Sequence, residues 1–380
     1  MNILGFNPSH HGSVCLLKNG KIEYFIQEER LTRHKYDAYP FTSFINLLQN
    51  HKIDIITWAT PSVYYPLNGF EKDTSLPYWA KIAQTFRPKI KIKDFSENHH
   101  LCHVAHSFYN SGFKECIGIV VDGMGSIKSE KIINKKGENK FRETESVYYC
   151  SYPSNFKFLY KGITNVDERV NLSRVYEAVT MHLGWNRDEA GKTMGLAPYG
   201  KYNSNLPSFF TDKAGNPNIF ISDSSKPAQW IKDYPQETFI DEEKNPQLKL
   251  SKNPKKWHYN KYEITDLEKD LAWKVQNDTQ QLVGDYIEKS IKETGLKQVC
   301  CAGGYFLNCV TNYYLLKRFP DVKFYFEPIA NDSGIAIGAA KLLWHTIKED
   351  TTIRSFKSLY LGKKYSKEEL LEGIKKYVDN

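Results

Sequence analysis

The chain has 380 residues and a formal net charge of +8, and its 41% hydrophobic and 25% charged shares are ordinary for a soluble globular protein. That length suits two lobes, each burying its own core. The positive charge is spread without a long basic block, so it tolerates an anionic ligand such as a nucleotide or nucleic acid and equally describes a lysine-rich solvated surface. Seven cysteines, none in a Cys-x-x-Cys spacing, read as reduced thiols. Cys15, Cys116, Cys300 and Cys301 sit in apolar runs, where a thiol packs as a small hydrophobe. No apolar run approaches the roughly 20 residues that span a bilayer, and no charged-then-apolar leader precedes the first strand. A cytoplasmic protein that does not enter a membrane is expected.

Residues 2–27 read as three short strands, at 3–6, 13–17 and 22–26. The last two are joined by Lys18-Asn19-Gly20, and Asn-Gly between apolar runs is the strongest local hairpin signal. A charge-dense stretch at 28–35 leaves the sheet. A helix at 41–50, a buried strand at 53–59, an aromatic-rich helix near 77–85, a strand at 89–95 and a histidine-rich helix with Asn98 as N-cap complete a first half. The signal then restarts. An apolar strand at 116–121 ends in Asp122-Gly123-Met124-Gly125-Ser126, two further strands run to about Tyr152, and a helix at 171–184 precedes the tract Glu189 to Gly200. Residues 201–262 show poor periodicity and read as an insertion that shapes a substrate site or decorates the surface. A long amphipathic helix at 265–294, strand 297–302, helix 306–318, strand 322–326 and helix 333–348 follow. Two halves with the same opening and the same alternation predict an internally duplicated α/β fold, with lobes at 1–115 and 116–348 and a ligand between them. The final 349–380 loses this rhythm, and a helix at 367–378 looks like part of something not fully present.

Residues four apart on a helix share a face, their Cβ atoms about 6 Å apart. His99 and His103 therefore project together, with His106 one turn further on. Such a pair either holds a metal ion or lines a cleft as hydrogen-bonded polar residues; the absence of His-Glu-x-x-His removes the metalloprotease reading. A third ligand must come from elsewhere, and Asp332 is available, although it also reads as a helix N-cap. Glycine-bearing turns follow strands at 122–126, 301–308 and 327–334. Their N–H groups and the helix starts behind them suit a phosphate, and each also fits a plain turn. Asn308 reads as a ligand contact or a local cap. Taken together, these features point to an adenine nucleotide and a divalent metal in an interlobe cleft.

The chain resembles the N-terminal domain of the NodU/CmcH-type O-carbamoyltransferases, the family of the nodulation, cephem and tobramycin carbamoyltransferases. The matching stretches are Gly5-Phe6-Asn7 to His10, EERLTRHKYDAYP (28–40), HHLCHVAH (99–106), VVDGMGS (120–126), EAGKTMGLAPYG (189–200), AGGYFLN (302–308) and PIANDSGIAIGAA (328–340), in family order over about the first 345 residues. EAGKTMGLAPYG and the EER stretch are highly specific; the glycine turns are not.

That resemblance implies a duplicated actin/Hsp70/sugar-kinase-like (ribonuclease H-like) two-lobed fold, shared with the threonylcarbamoyl-transferring subunit of tRNA modification. It implies a divalent metal, iron(II) by family type, on His99, His103 and Asp332. Nucleotide contacts fall on Asp122, Gly123, Met124, Gly125, Ser126, Gly304 and Asn308, and Lys35 matches a cleft lysine. His10 matches the histidine beside the acceptor hydroxyl; on its own it reads as a turn residue. His106 stands where the family more often has a small residue and is left out of the metal set. The segment between Gly5 and His10 is shorter than in the aminoglycoside-modifying member. The implied activity moves a carbamoyl group from carbamoyl-adenylate, made from carbamoyl phosphate and ATP, to a hydroxyl of a sugar, an antibiotic or a hydroxymethylated nucleobase. Family members continue into a YrdC-like domain that makes the adenylate. Here Leu359 to Ser366 resembles the entry to that domain, so the gene is split or truncated, or a separate polypeptide supplies the domain. Two rival readings are tRNA threonylcarbamoyl transfer, against which EAGKTMGLAPYG and EERLTRHK weigh, and a non-catalytic remnant that binds a nucleotide or a partner.

Overall fold

The computed structural model describes residues 1–60, 78–130, 139–165, 172–206, 209–210, 212–216, 219–222, 264–362 and 365–378. Most of the expected insertion at 201–262 lies outside these residues. No helix among them is long and apolar enough to cross a membrane.

The first sheet contains β1 (Asn2–Asn7), β2 (Ser13–Lys18), β3 (Lys21–Gln27), β4 (Ile55–Trp58) and β5 (Lys91–Asp94). Asn19 and Gly20 both take positive φ at the β2–β3 turn, as the Asn-Gly pair requires. The order is β3-β2-β1-β4-β5, antiparallel through the hairpins and parallel from β1 to β5. After β3 come a single helical turn, α1 (Glu29–Thr32), then α2 (Phe41–Asn50) and, beyond β4, α3 (Tyr78–Phe86). One face of the sheet carries these last two helices. Phe6, Phe44, Trp58 and Trp79 meet there, with ring centroids 4.8–5.4 Å from Phe6, each burial worth about 2–3 kcal/mol.

The second sheet is built from β6 (Glu115–Val121), β7 (Ile127–Glu130), β8 (Asn139–Ser151), β9 (Asn155–Asn165), β10 (Asp212–Asn216), β11 (Ile219–Ser222), β12 (Gln298–Ala302) and β13 (Lys323–Phe326). Its path β9-β8-β6-β12-β13 repeats the first sheet, two antiparallel joins followed by two parallel ones. This recurrence is the duplicated ribonuclease H-like architecture expected from the sequence. β9 lies beyond the strands expected to end near Tyr152. It pairs with β8 along most of its length, and Phe156, Phe158 and Tyr160 alternate with Lys157 and Lys161 as a half-buried strand requires, a signal the sequence reading passed over.

Among the described residues seven further helices follow in chain order: α4 (His99–Ser111), α5 (Leu172–His182), α6 (Ala190–Leu196), α7 (Asp266–Thr294), α8 (Cys309–Arg318), α9 (Ile335–Lys348) and α10 (Lys367–Val378). The start of α7 is fixed by a capping box between Thr265 and Glu268, and its end by Gly295 in left-handed backbone. The histidine helix α4 packs on β6, β8 and β12 of the second sheet, whereas α9 packs on β1, β2 and β4 of the first, and the two helices lie against each other. Every residue of α9 from Ile335 to His345 is buried, as a helix between two layers must be. Close approach depends on two glycines. A Cβ at Gly338 would collide with the Cys102 carbonyl of α4, and one at Gly5 with the Ala336 carbonyl. The loop that enters α9 is thereby held over the start of α4.

Candidate active site and metal centre

Asn98 occupies the N-cap position of α4, but its side chain makes no capping hydrogen bond. The first free N–H, from His99, is instead accepted by Ser126 Oγ at 3.0 Å, and that hydroxyl donates to the Ser96 carbonyl at 2.8 Å. The sequence expectation of an Asn98 cap is corrected accordingly, since the turn after β6 reaches the helix start first. In α4 the two histidines face one way: His99 Nε2 and His103 Nε2 stand 3.2 Å apart. His99 Nδ1 lies 2.9 Å from the Ala59 carbonyl, which can only accept. Nδ1 therefore carries a proton, and Nε2 is the nitrogen that faces the cluster, where a bound ion would take its lone pair.

Opposite this pair, the loop after β13 delivers Asp332. Asn331 Oδ1 accepts the Ser333 N–H at 3.2 Å and so caps the turn, which frees the Asp332 carboxylate from N-cap duty. Asp332 Oδ1 lies 3.4 Å from His103 Nε2 and 3.6 Å from His99 Nε2. A fourth group joins them. Asp122, at the end of β6, places Oδ2 3.5 Å from His99 Nε2, while its Oδ1 accepts the Gly304 N–H at 3.1 Å. One donor atom from each of His99, His103, Asp122 and Asp332 lies within 4.8 Å of all the others, and all four residues are buried.

The donor chemistry fits a divalent cation. With an ion bound, two carboxylates and two neutral imidazoles would carry two negative charges, and nitrogen and oxygen donors around a shared ion about 2.1 Å away stand about 3.0–3.4 Å apart. Electrostatics show the same demand. Burial alone would push the Asp332 carboxyl up, but His10, His99 and His103 hold it well below the usual carboxylate range. For Asp122, burial and the Asp332 charge push upward and are outweighed by the hydrogen bond from His99 and the charge of His103. Burial would lower His99, yet the two carboxylates lift it well above an ordinary imidazole. The cluster calls for positive charge at its centre.

A cavity of about 730 Å³ opens above these donors. His10 lines it, half exposed at 49%, with Nε2 3.6 Å from Asp332 Oδ2. His99, Asp332, Asp122, Gly123, Met124, Gly304 and Asn308 also line it; His103 lies behind them, fully buried. Gly125 and Ser126 do not. Gly125 N–H donates to the Glu143 carbonyl at 2.8 Å, and Ser126 braces α4 as described. Lys35 is exposed, its ammonium 4.8 Å over the Tyr36 ring, and does not line the cavity. His106, left out of the expected metal set, stands apart from the cluster, its Nε2 3.4 Å from Glu327 Oε1.

Several cavity residues have no counterpart in the sequence reading. Asp122 was expected at a nucleotide, not among metal donors, because β6 and α4 meet only through the fold. Arg142, Arg174 and Arg187 bring cationic groups to the wall. His11, Tyr36 and Tyr39 line it with left-handed backbone, φ 59, 62 and 58°. Such a conformation costs a non-glycine residue about 1–2 kcal/mol and clusters at functional sites. For the tyrosines the available signal was the EERLTRHKYDAYP stretch that contains both.

The chain is 27% identical to the protein sll1178 of Synechocystis, over 97% of this chain and 62% of that one. It is 24% identical to the nodulation protein NolNO of Sinorhizobium fredii, over 93% of this chain and 49% of that one. The chain thus spans only about half to three-fifths of the length of these relatives. Its fold is similar to that of full-length HypF solved in a phosphate- and nucleotide-bound form, with a TM-score of 0.52 and 13% identity over 94% of this chain and 56% of that one. The family model described as "Carbamoyltransferase N-terminus" matches residues 67–341, and the chain belongs to that family.

Proposed function

We propose that the chain carries out O-carbamoyl transfer, moving a carbamoyl group from carbamoyl-adenylate to an acceptor hydroxyl. The observation that supports this most is the convergence of His99, His103, Asp122 and Asp332 at one side of the cavity, with His10 against Asp332, in a chain of carbamoyltransferase family. His10 Nε2 takes the proton of the acceptor hydroxyl as its oxygen bonds to the carbamoyl carbon. The bond from that carbon to the adenylate phosphate oxygen breaks, and AMP leaves with the electron pair. General-base help of this kind is typically worth ~10²–10⁴ in rate. His99, His103 and Asp332, with Asp122 as a fourth donor, would hold a divalent ion, iron(II) by family likeness. When bound, it supplies Lewis-acid neutralisation of phosphate charge.

In this reading the backbone at Gly123, Met124 and Gly304 orients the nucleotide, Asn308 contacts it, and Lys35, outside the cavity lining, is a further contact taken from the family resemblance. Gly125 and Ser126 act through the start of α4. His11, Tyr36 and Tyr39 flank the acceptor, a sugar, an antibiotic or a hydroxymethylated nucleobase. Carbamoyl phosphate and ATP are the source of the adenylate, formed by a YrdC-like unit that is a further domain or a separate polypeptide. Lobes at 1–115 and 116–348, with 349–380 leading toward that unit, belong to the same proposal. The test supplies synthetic carbamoyl-adenylate and a panel of hydroxylated acceptors to the iron(II)-loaded chain and follows AMP release. Acceptor-dependent release that disappears in His10→Ala supports transfer. Release that no acceptor accelerates would favour the non-catalytic reading.

A further inference from the structure

Lys341 interrupts the otherwise apolar buried run at the centre of α9. Its Nζ donates to Asn110 Oδ1 at 2.6 Å and to the Tyr109 carbonyl at 3.4 Å. Asn110 Nδ2 donates in turn to Glu327 Oε2 at 2.9 Å, and the Tyr325 hydroxyl donates to the same oxygen at 3.3 Å. The other oxygen, Glu327 Oε1, accepts the Ile329 N–H at 3.2 Å and lies 3.4 Å from His106 Nε2. Glu327, Asn110, Lys341 and His106 are each 4% exposed or less. Burial pushes the Glu327 carboxyl up to about 7 and the Lys341 ammonium down to about 8. An apolar pair of similar volume would stabilise a fold as well as a buried ion pair does, so stability alone gives no reason for these groups to be here.

Their placement supplies one. Glu327 opens the loop that ends in Asp332, Asn110 sits near the end of the helix that carries His99 and His103, and Lys341 belongs to the helix into which the Asp332 loop runs. The chain of hydrogen bonds therefore ties together the three segments whose relative positions set the distance from Asp332 to the imidazoles. His106 completes the fit: its ring occupies the space a side chain at Gly334 would need, two residues beyond Asp332. We propose that Glu327 is a positioning residue of the metal centre, holding the Asp332 loop against the histidine helix through Asn110 and Lys341. The proposal rests on the metal-binding reading given above.

The test titrates cobalt(II) into the purified full chain and follows the visible absorption of the loaded site, together with thermal unfolding of the metal-free protein. Two variants are used. Glu327→Asp keeps the charge and withdraws the carboxylate by one methylene, and Glu327→Gln combined with Lys341→Met removes both charges so that neither is left buried alone. The expected result is cobalt(II) affinity lowered about ten- to 100-fold and displaced absorption bands in each variant that unfolds within a few degrees of the parent. Parental affinity and bands in a folded variant of either kind overturn the proposal, because a purely structural role would leave the cobalt spectrum unmoved. Equal cobalt(II) binding by the parent and by a His99→Ala, His103→Ala variant overturns the metal reading itself, a result distinct from the first.

Discussion

His10 Nε2 lies 3.6 Å from Asp332 Oδ2, while Oδ1 of the same carboxylate is 3.4 Å from His103 Nε2. One side chain thus faces the proposed base with one oxygen and the proposed metal donors with the other. Substitution separates the two duties. His10→Ala is expected to lower acceptor-dependent AMP release by ~10²–10⁴ with iron(II) affinity close to that of the parent. Asp332→Asn is expected to lose both transfer and metal. A His10→Ala chain that no longer binds iron(II) would contradict this division of labour.

The two-lobed fold was legible because its signals are local. The Asn19-Gly20 hairpin, the apolar strands ending in glycine turns and the capping box at Thr265 each act within a few residues. The histidine pair was legible for the same reason, since helical spacing alone puts His99 and His103 side by side. Asp122 as a fourth donor was not. Its distance to His99 depends on how α4 lies across β6, and that in turn depends on a collision avoided at Gly118, where a Cβ would strike Val104. Asn98 misled for the converse reason: a good capping residue stood in place, but the Ser126 hydroxyl, 27 residues beyond His99, took the bond.

Gly338 makes the crossing of α9 and α4 testable. A methyl group there would run into the Cys102 carbonyl, so Gly338→Ala must move one helix away from the other. Overpacking of this kind costs about 1–3 kcal/mol, and the same shift carries the Asp332 loop away from the histidines. Lower thermal stability together with weaker iron(II) binding is expected. Gly195→Ala is the control, with nothing within 4 Å of the added atom and a place inside α6. It should raise stability by up to about 1 kcal/mol, the difference in helix propensity.

The pH dependence of stability has a definite sign. Burial lowers His182 and His345 to about 4, against an unfolded value near 6.5. Between those limits the unfolded chain binds more protons at these two sites, so their contribution is lost as pH falls through the window. Glu327 opposes them: its folded value of about 7 lies above the 4.5 of an ordinary glutamate, so its protonated form favours the native state over pH 4.5–7. Buried His100, also lowered to about 4, acts with these two histidines, and three groups against one leave a net rise with pH. The urea midpoint of metal-free protein is expected to be higher at pH 6 than at pH 4.5, and Glu327→Gln should steepen that rise. A midpoint that falls over this interval would contradict the assignment.

Asn308 sits where two explanations meet, and substitution can part them. Its Oδ1 accepts the Thr311 N–H at 3.0 Å and caps α8, while its Nδ2 donates to Gln276 Oε1 at 2.8 Å and the residue lines the cavity. Serine at this position keeps a capping oxygen but lacks the amide. Asn308→Ser should therefore unfold close to the parent, whereas Asn308→Ala should lose about 1 kcal/mol of stability with the cap. If the amide also contacts the nucleotide, both variants weaken AMP binding in a calorimetric titration by about two- to tenfold, the worth of one hydrogen bond. Equal loss of AMP affinity in the serine and alanine variants, despite their different stabilities, is the expected outcome. Parental AMP affinity in Asn308→Ser would reduce the residue to its capping role, because the shorter side chain would then have removed nothing that the nucleotide uses.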